Sequence, residues 1–235
     1  MANKFHVTFD IDWAPDSSIE LCLEILKSKN VKATFFTTHE TDLNSEIERQ
    51  GHNLGIHPNF LPGSSQGANT HEIITTCLKY APNATTMRTH ALVQSSPMLY
   101  QIFKEFPQLK LDASILMHKA KHVERFNWNF DGVSFDRINY NWEDDAEFSN
   151  PNFDWSKEFF PGKISIYDFH PIHIHLNSCS NDHYRNLKSS LNGISLMKVE
   201  RKNLDSFMNT GHGSRTFLQS IVSSDAESIS LESIK

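Results

Sequence analysis

The chain has 235 residues with 17 phenylalanines, enough for one sizeable core. Its net charge is −6, from 22 basic and 28 acidic residues, and no stretch packs Lys and Arg densely, which argues against a nucleic-acid partner. Three cysteines, Cys22, Cys77 and Cys179, are scattered without CxxC spacing, so neither a disulfide framework nor a zinc knuckle is expected.

Met1-Ala2-Asn3-Lys4 runs straight into a strand with no apolar h-region. No apolar run approaches the ~20 residues of a membrane span. With free thiols, this predicts a cytoplasmic protein. The first strand, 5–13, alternates. Phe5, Val7, Phe9 and Ile11 share one face, and His6, Thr8, Asp10 and Asp12 share the other. The two carboxylates that end the polar face are expected roughly 6–7 Å apart at ~3.3 Å per residue. That is far enough for one to hold a metal while the other handles a proton. Taken alone, the same strand reads equally as an exposed edge with solvated acids.

Ser17-Ser18-Ile19-Glu20 fits a capping box, with Ile19, Leu23 and Leu26 following at helical spacing. Residues 32–37 read as the second strand, and a helix over 44–50 ends at Gly51 as a left-handed cap. Residues 53–57 read as a strand, 71–80 as a helix, 86–90 as a strand, 96–106 as a helix and 109–114 as a strand. Residues 132–142 read as one or two strands, 143–155 as an acidic, aromatic loop, 163–170 as a late strand and 182–191 as a helix. Residues 223–235 are polar and Ser-rich, expected to be a frayed or weakly helical tail. The alternation predicts an α/β fold with parallel strands and right-handed crossovers. One domain is expected over 1–222, followed by the tail at 223–235.

Four predicted strands end in side chains fit for metal or proton chemistry: Asp10 and Asp12, His57, Arg88 with His90, and His170. In parallel α/β barrels the C-terminal strand ends converge on one mouth. An Asp with neutral imidazoles is a ligand set for Zn²⁺ or a similar divalent ion with an open position. His52 opens the strand that His57 closes, so it lies at the opposite end, roughly 16 Å away.

Thr8-Phe9-Asp10-Ile11-Asp12, Lys32-Ala33-Thr34-Phe35-Phe36 and Gly51-His52-Asn53-Leu54-Gly55-Ile56-His57 resemble, in order and spacing, the opening motifs of the polysaccharide deacetylase (NodB-homology) superfamily, carbohydrate esterase family four. Arg88-Thr89-His90 sits where that family has R-x-P, and Asp168-Phe169-His170-Pro171 where it has a strand ending in a catalytic histidine. The wording His57-Pro58-Asn59-Phe60 and His170-Pro171-Ile172-His173 most resembles the WbmS-like subgroup, associated with surface-glycan biosynthesis.

The resemblance implies a distorted (β/α) barrel of about seven strands and metal-dependent removal of an N-acetyl group from an amino sugar. The substrate class would be an N-acylated sugar, nucleotide sugar or glycan, and the ion zinc. By the same resemblance Asp10 is the general base, Asp12 the metal-binding Asp and His57 the first metal histidine. Arg88 orients the base, and His170 is the general acid. Two positions depart from the family pattern. The aspartates are separated by Ile11 instead of adjacent, which on a regular strand keeps both on one face. The second metal histidine, four residues after the first, is replaced by Leu61. His90 is the preferred substitute, with Asn59, His173 and His71 as weaker candidates. Two rival functions keep the fold. One is another C–N hydrolysis, such as deformylation. The other is a non-catalytic glycan- or metal-binding protein, against which the presence of both a base and an acid argues.

Other residues carry open readings. Trp142, in Trp142-Glu143-Asp144-Asp145, either stacks on a sugar or anchors the core. His173 and His175 alternate after Pro171 and either line the substrate cleft or form an exposed polar edge. His212, between two glycines, reads as part of a turn. Asp112 and Ser114 read as polar groups inside the barrel, and residues 61–65 as a mobile rim loop. Lys119, Lys121 and Arg125 read as a solvated basic face, or as an attractant for a nucleotide-sugar diphosphate.

Overall fold

The computed structural model describes residues 2–234. In chain order it holds β1 (Lys4–Asp10), α1 (Asp16–Ser28), β2 (Ala33–Thr37), α2 (Leu43–Arg49), β3 (Asn53–Ile56), α3 (Thr70–Tyr80), β4 (Thr86–Met87), α4 (Ser96–Glu105) and β5 (Leu111–Leu116). A hairpin of β6 (Arg125–Phe130) and β7 (Val133–Tyr140) follows, then β8 (Trp142–Glu143), α5 (Asp144–Glu147), β9 (Ile164–Phe169), α6 (Pro171–Leu176), α7 (Asn181–Ser190), α8 (Arg201–Asp205), α9 (Ser214–Val222) and β10 (Glu227–Ser228). Among the described residues no helix is long and apolar enough to cross a membrane.

The strands pair in the order β6-β7-β5-β4-β3-β2-β1-β9-β8, with β10 added beside β1. All pairings are parallel except β6 with β7. The sheet curls into a distorted barrel that its ladders do not close. Asn141, between β7 and β8, spans the gap. Its side chain accepts from Ile166 N–H at 2.9 Å and donates to Ile164 O at 3.2 Å.

β1 shows why the sequence folds this way. Its apolar residues Phe5, Val7 and Phe9 pack against the helical layer, and Phe9 stacks on Phe35 at 4.6 Å. Its polar residues face the barrel interior, where a second cluster includes Phe36, Leu111, Ile138, Tyr140 and Ile166. Gly55 is obligatory for close approach: a Cβ there would lie 2.8 Å from both the Phe36 ring and Thr86 O.

Several expectations need correction. β1 stops at Asp10, and Asp12 and Trp13 adopt left-handed backbone with φ of 46° and 54°. The two carboxylates therefore do not share the face of one continuous strand. α1 is preceded by Pro15 and has no side-chain cap, so the capping box is absent. Gly51 does take the left-handed conformation expected of it, with φ 79°. Arg125 is no solvated cation: it opens β6 and pairs with Asp136 at 2.6 Å. β6 itself and the helices α6, α8 and α9 were not anticipated. The 223–235 segment is not frayed within the described residues. Glu227 and Ser228 pair with Lys4 and Phe5, and Leu231 and Ile234 are buried in the barrel-interior cluster. Residue 235 lies outside the described residues.

Candidate active site at the mouth of the barrel

Asp10 is the last residue of β1, while His57, Arg88 and His170 each follow the last residue of β3, β4 and β9. Parallel strands with common polarity bring such positions to one mouth. The backbone ladder still holds them there, His57 N–H donating to Thr37 O at 2.9 Å and Arg88 N–H to Ile56 O at 3.1 Å.

Arg88 is fully buried, and its guanidinium lies over the rings of Phe36 and Tyr140, 4.5 and 4.1 Å from their centroids. Nε donates to Ala113 O at 3.0 Å. Nη1 donates to Asp10 Oδ1 at 3.0 Å, to Thr8 Oγ1 at 2.9 Å and to Asp168 Oδ1. Burial opposes the charge of Arg88, but Asp10 and Asp168 more than offset it and hold the guanidinium protonated. Asp168 has no exposure and its Oδ2 has no partner, so burial pushes its carboxyl well above the usual carboxylate range.

Asp12 has different partners. Its Oδ1 lies 3.2 Å from His57 Nε2 and 3.0 Å from His90 Nδ1, and its Oδ2 lies 3.8 Å from His170 Nε2. Burial works against ionisation of Asp12, yet hydrogen bonds from His57 and His90 hold its carboxyl well below the usual range. Asp10 Oδ2 is 3.6 Å from the same His57 Nε2. The left-handed turn after β1 thus aims Asp12 back toward His57 although the strand has ended.

One ligand atom each from Asp12, His57 and His90 lies within 4.8 Å of the others. Tetrahedral ligands at ~2.0–2.2 Å from an ion are about 3.3–3.5 Å apart. A carboxylate and two imidazoles at this spacing therefore fit a divalent ion with little movement. Leu61 is 40% exposed on the rim, against Phe60 and Gly63 and away from this cluster. Asn59 and His71 have other partners: Asn59 Oδ1 accepts from Leu61 N–H, and His71 pairs with Glu105 on the outer surface.

His170 is buried. Its Nδ1 is 2.8 Å from Asp144 Oδ1, and its backbone N–H donates to Asp144 Oδ2 at 3.1 Å. Both oxygens of one buried carboxylate thus fix this residue, with Nδ1–H toward Asp144 and Nε2 toward Asp12. Burial would lower the pKa of the imidazole, but Asp145 and Asp144 raise it well above the ordinary value. A buried chain positions the Arg88–His90 segment: Arg137 binds Asp112, Ser114 donates to Asp112, and Thr89 N–H donates to Ser114 Oγ at 2.8 Å. Gln66 pins the 58–66 rim loop by donating to Thr38 O and His57 O at 3.0 and 3.1 Å.

Two substrate-binding expectations change. Trp142 is fully buried among Phe153, Trp155, Tyr167, Phe169 and Phe217, so its ring is closed to a sugar. His173 is also buried. Its Nε2 is 2.8 Å from Asp145 Oδ1, and its ring lies 5.6 Å from that of His170, which makes it a buried neighbour of His170 and not a cleft-lining group. His175 is held by Ser18 and Asp205. Sequence reasoning passed over Asp144 and Asp168. The acidic run 143–145 next to Trp142 marked the first. Asp168, in phase with Ile166 and His170, marked itself only through strand register.

The profile described as "WbmS-like: Polysaccharide deacetylase" matches residues 7–188. This chain belongs to the WbmS-like polysaccharide deacetylase family. It is 33% identical to WbmS of Bordetella bronchiseptica, described as a candidate polysaccharide deacetylase involved in O-antigen biosynthesis, over 93% of this chain and 89% of that one, with a TM-score of 0.78. The peptidoglycan N-acetylglucosamine deacetylase Bc1960 is 14% identical over 98% of this chain and 87% of that one, TM-score 0.48. A family 4 carbohydrate esterase from Bacillus anthracis is 19% identical over 81% and 74%, TM-score 0.43. A search of curated proteins returns no match.

Proposed function

We propose that this protein is a metal-dependent N-deacetylase that acts in the cytoplasm on an N-acetylated amino sugar destined for a surface polysaccharide. The observation that carries the reading is the division of partners between two aspartates. Asp10 is held by Arg88, and Asp12 by His57 and His90. Asp12, His57 and His90 would hold the divalent ion, with zinc suited to this donor set. Bound there, such an ion supplies Lewis acidity to the acetamide carbonyl and acidity to a water.

The chain's own residues do the rest. Asp10 accepts the proton of the water whose oxygen adds to the acyl carbon. Arg88 fixes the geometry of Asp10. His170, charged through Asp144 and Asp145, gives its Nε2 proton to the amine nitrogen as the C–N bond breaks, because an amine anion does not leave unaided. The products are acetate and a free amino sugar. The relation to WbmS supports placing the reaction in surface-polysaccharide assembly.

The test is acetate release from a panel of N-acetylated nucleotide sugars and oligosaccharides, with bound metal measured on the same sample. Release that a chelator abolishes and zinc restores is the expected result. Bound metal with no release across the panel would favour a binding protein instead.

A further inference from the structure

β6 is the end strand of the sheet, and among the described residues no strand pairs with its outer edge. Edge strands are usually blunted by Lys, Pro or a bulge because their unpaired amides invite another strand. This one carries none of these over Phe126–Phe130. It is aromatic and exposed instead: Phe126 is 44% and Phe130 61% exposed. Phe126, Trp128 and Phe130 share one face. There Trp128 and Phe130 join Tyr100, Pro97 and Ser96 of α4 around a wholly apolar hollow of about 370 Å³.

The sequence of this edge is a palindrome. Phe126-Asn127-Trp128-Asn129-Phe130 reads the same in both directions about Trp128. Two antiparallel copies related by a two-fold axis at Trp128 would set Phe126 opposite Phe130, Trp128 opposite Trp128, and Asn127 opposite Asn129. Aromatic would meet aromatic on one face and amide would meet amide on the other.

The backbone agrees with this register. Asn139 N–H donates to Glu124 O in step with the β6–β7 ladder. Alternation then turns the amides of Phe126, Trp128 and Phe130 toward β7, and those of Arg125, Asn127 and Asn129 outward. In the palindromic register Asn127 and Asn129 are the hydrogen-bonded pair, so the free amides meet. Phe126 and Phe130 are then the non-hydrogen-bonded pair, whose side chains come closest.

We propose that the protein forms a two-fold homodimer by antiparallel pairing of β6 with β6 of a second copy, which makes one continuous sheet across two barrels. The surface is self-complementary, as an isologous interface requires. It recruits the second strand by edge addition, and the apolar hollow beside Trp128 receives the second copy's Phe126. β6 runs toward the end of the barrel opposite the mouth, because Val133, its partner at Phe130, begins β7. Both active-site mouths stay open.

Sedimentation velocity over a concentration series tests this, with circular dichroism to check the fold of each variant. The wild-type chain should reach dimer mass. Asn129→Pro removes one outward N–H without touching the β7 ladder, and Phe130→Lys sets a charge in the aromatic face. Each should return the folded chain to monomer mass. A wild-type monomer throughout the series, or a dimer that survives both substitutions, overturns the proposal. The register is read with cysteines. Phe126→Cys with Phe130→Cys in one chain should give an oxidised covalent dimer, because the two positions would face each other. Either substitution alone should not, because identical positions then lie about 13 Å apart, beyond disulfide reach. Single variants that cross-link as well as the pair would overturn the register.

Discussion

At the far end of the barrel, His6 and His52 are buried among neutral partners. At the mouth, His57 and His170 are buried and His90 half-buried, all three among carboxylates. His6 bonds Ile229 O and Thr34 Oγ1, and burial holds its pKa down at about 4. His52 accepts from Ala33 N–H, and burial, with Lys32 adding, likewise lowers it to about 4. His170 is buried too, yet Asp145 and Asp144 raise it well above the ordinary value. Burial alone therefore makes a structural, neutral histidine. Burial beside a carboxylate makes one that can carry a proton or face a cation.

The comparison can be broken most directly at Asp12. Asp12→Ala removes the one carboxylate that faces both His57 and His90, and bound metal and acetate release should both disappear. His52→Gln, at the other end, should leave both unchanged. Equal metal loss in the two variants, measured by elemental analysis, would contradict the division between the ends.

The next effect is on stability. His6 titrates at about 4 in the native state and near 6.5 unfolded. Below about 6.5 the unfolded chain binds a proton that the native chain refuses. Stability is therefore lost as pH falls through this window and is unaffected above it. The loss attributable to His6 is about 3 kcal/mol by pH 4. Urea unfolding at pH 7 and pH 4.5 should show a smaller loss in His6→Gln than in the wild-type chain. Identical losses would mean that His6 is not a buried neutral group.

The smallest effect concerns Asp144, whose two oxygens hold His170. Asp144→Asn should lower kcat by about 10–100-fold, as for partners that orient a site histidine, with KM and bound metal little changed. A change confined to KM would reassign Asp144 to substrate binding.

The sequence carried much of the mouth because strand polarity and strand ends are short-range signals. Asp10, His57, Arg88 and His170 all fall at or one residue past the end of a strand. It missed the turn at Asp12, because positive φ at Asp and Trp is set by the neighbours: Trp13 N–H donates to Thr38 Oγ1 at 2.9 Å across the mouth. Residues 171–176 alternate like a strand but form a helix buried on all sides, entered through Pro171. The tail reads as solvent-exposed by composition. Among the described residues its buried apolar side chains are Leu231 and Ile234, and three apart they make too faint a period to read.

The measurement that bears most directly on the central claim is acetate release by Asp10→Asn after loading with zinc, with metal content determined on the same sample. The account predicts full metal occupancy with turnover lower by about 10²–10⁴-fold, because Asp12, His57 and His90 are untouched while the proton acceptor is gone. Wild-type release from Asp10→Asn, or loss of its metal, would contradict the separate roles assigned to the two aspartates.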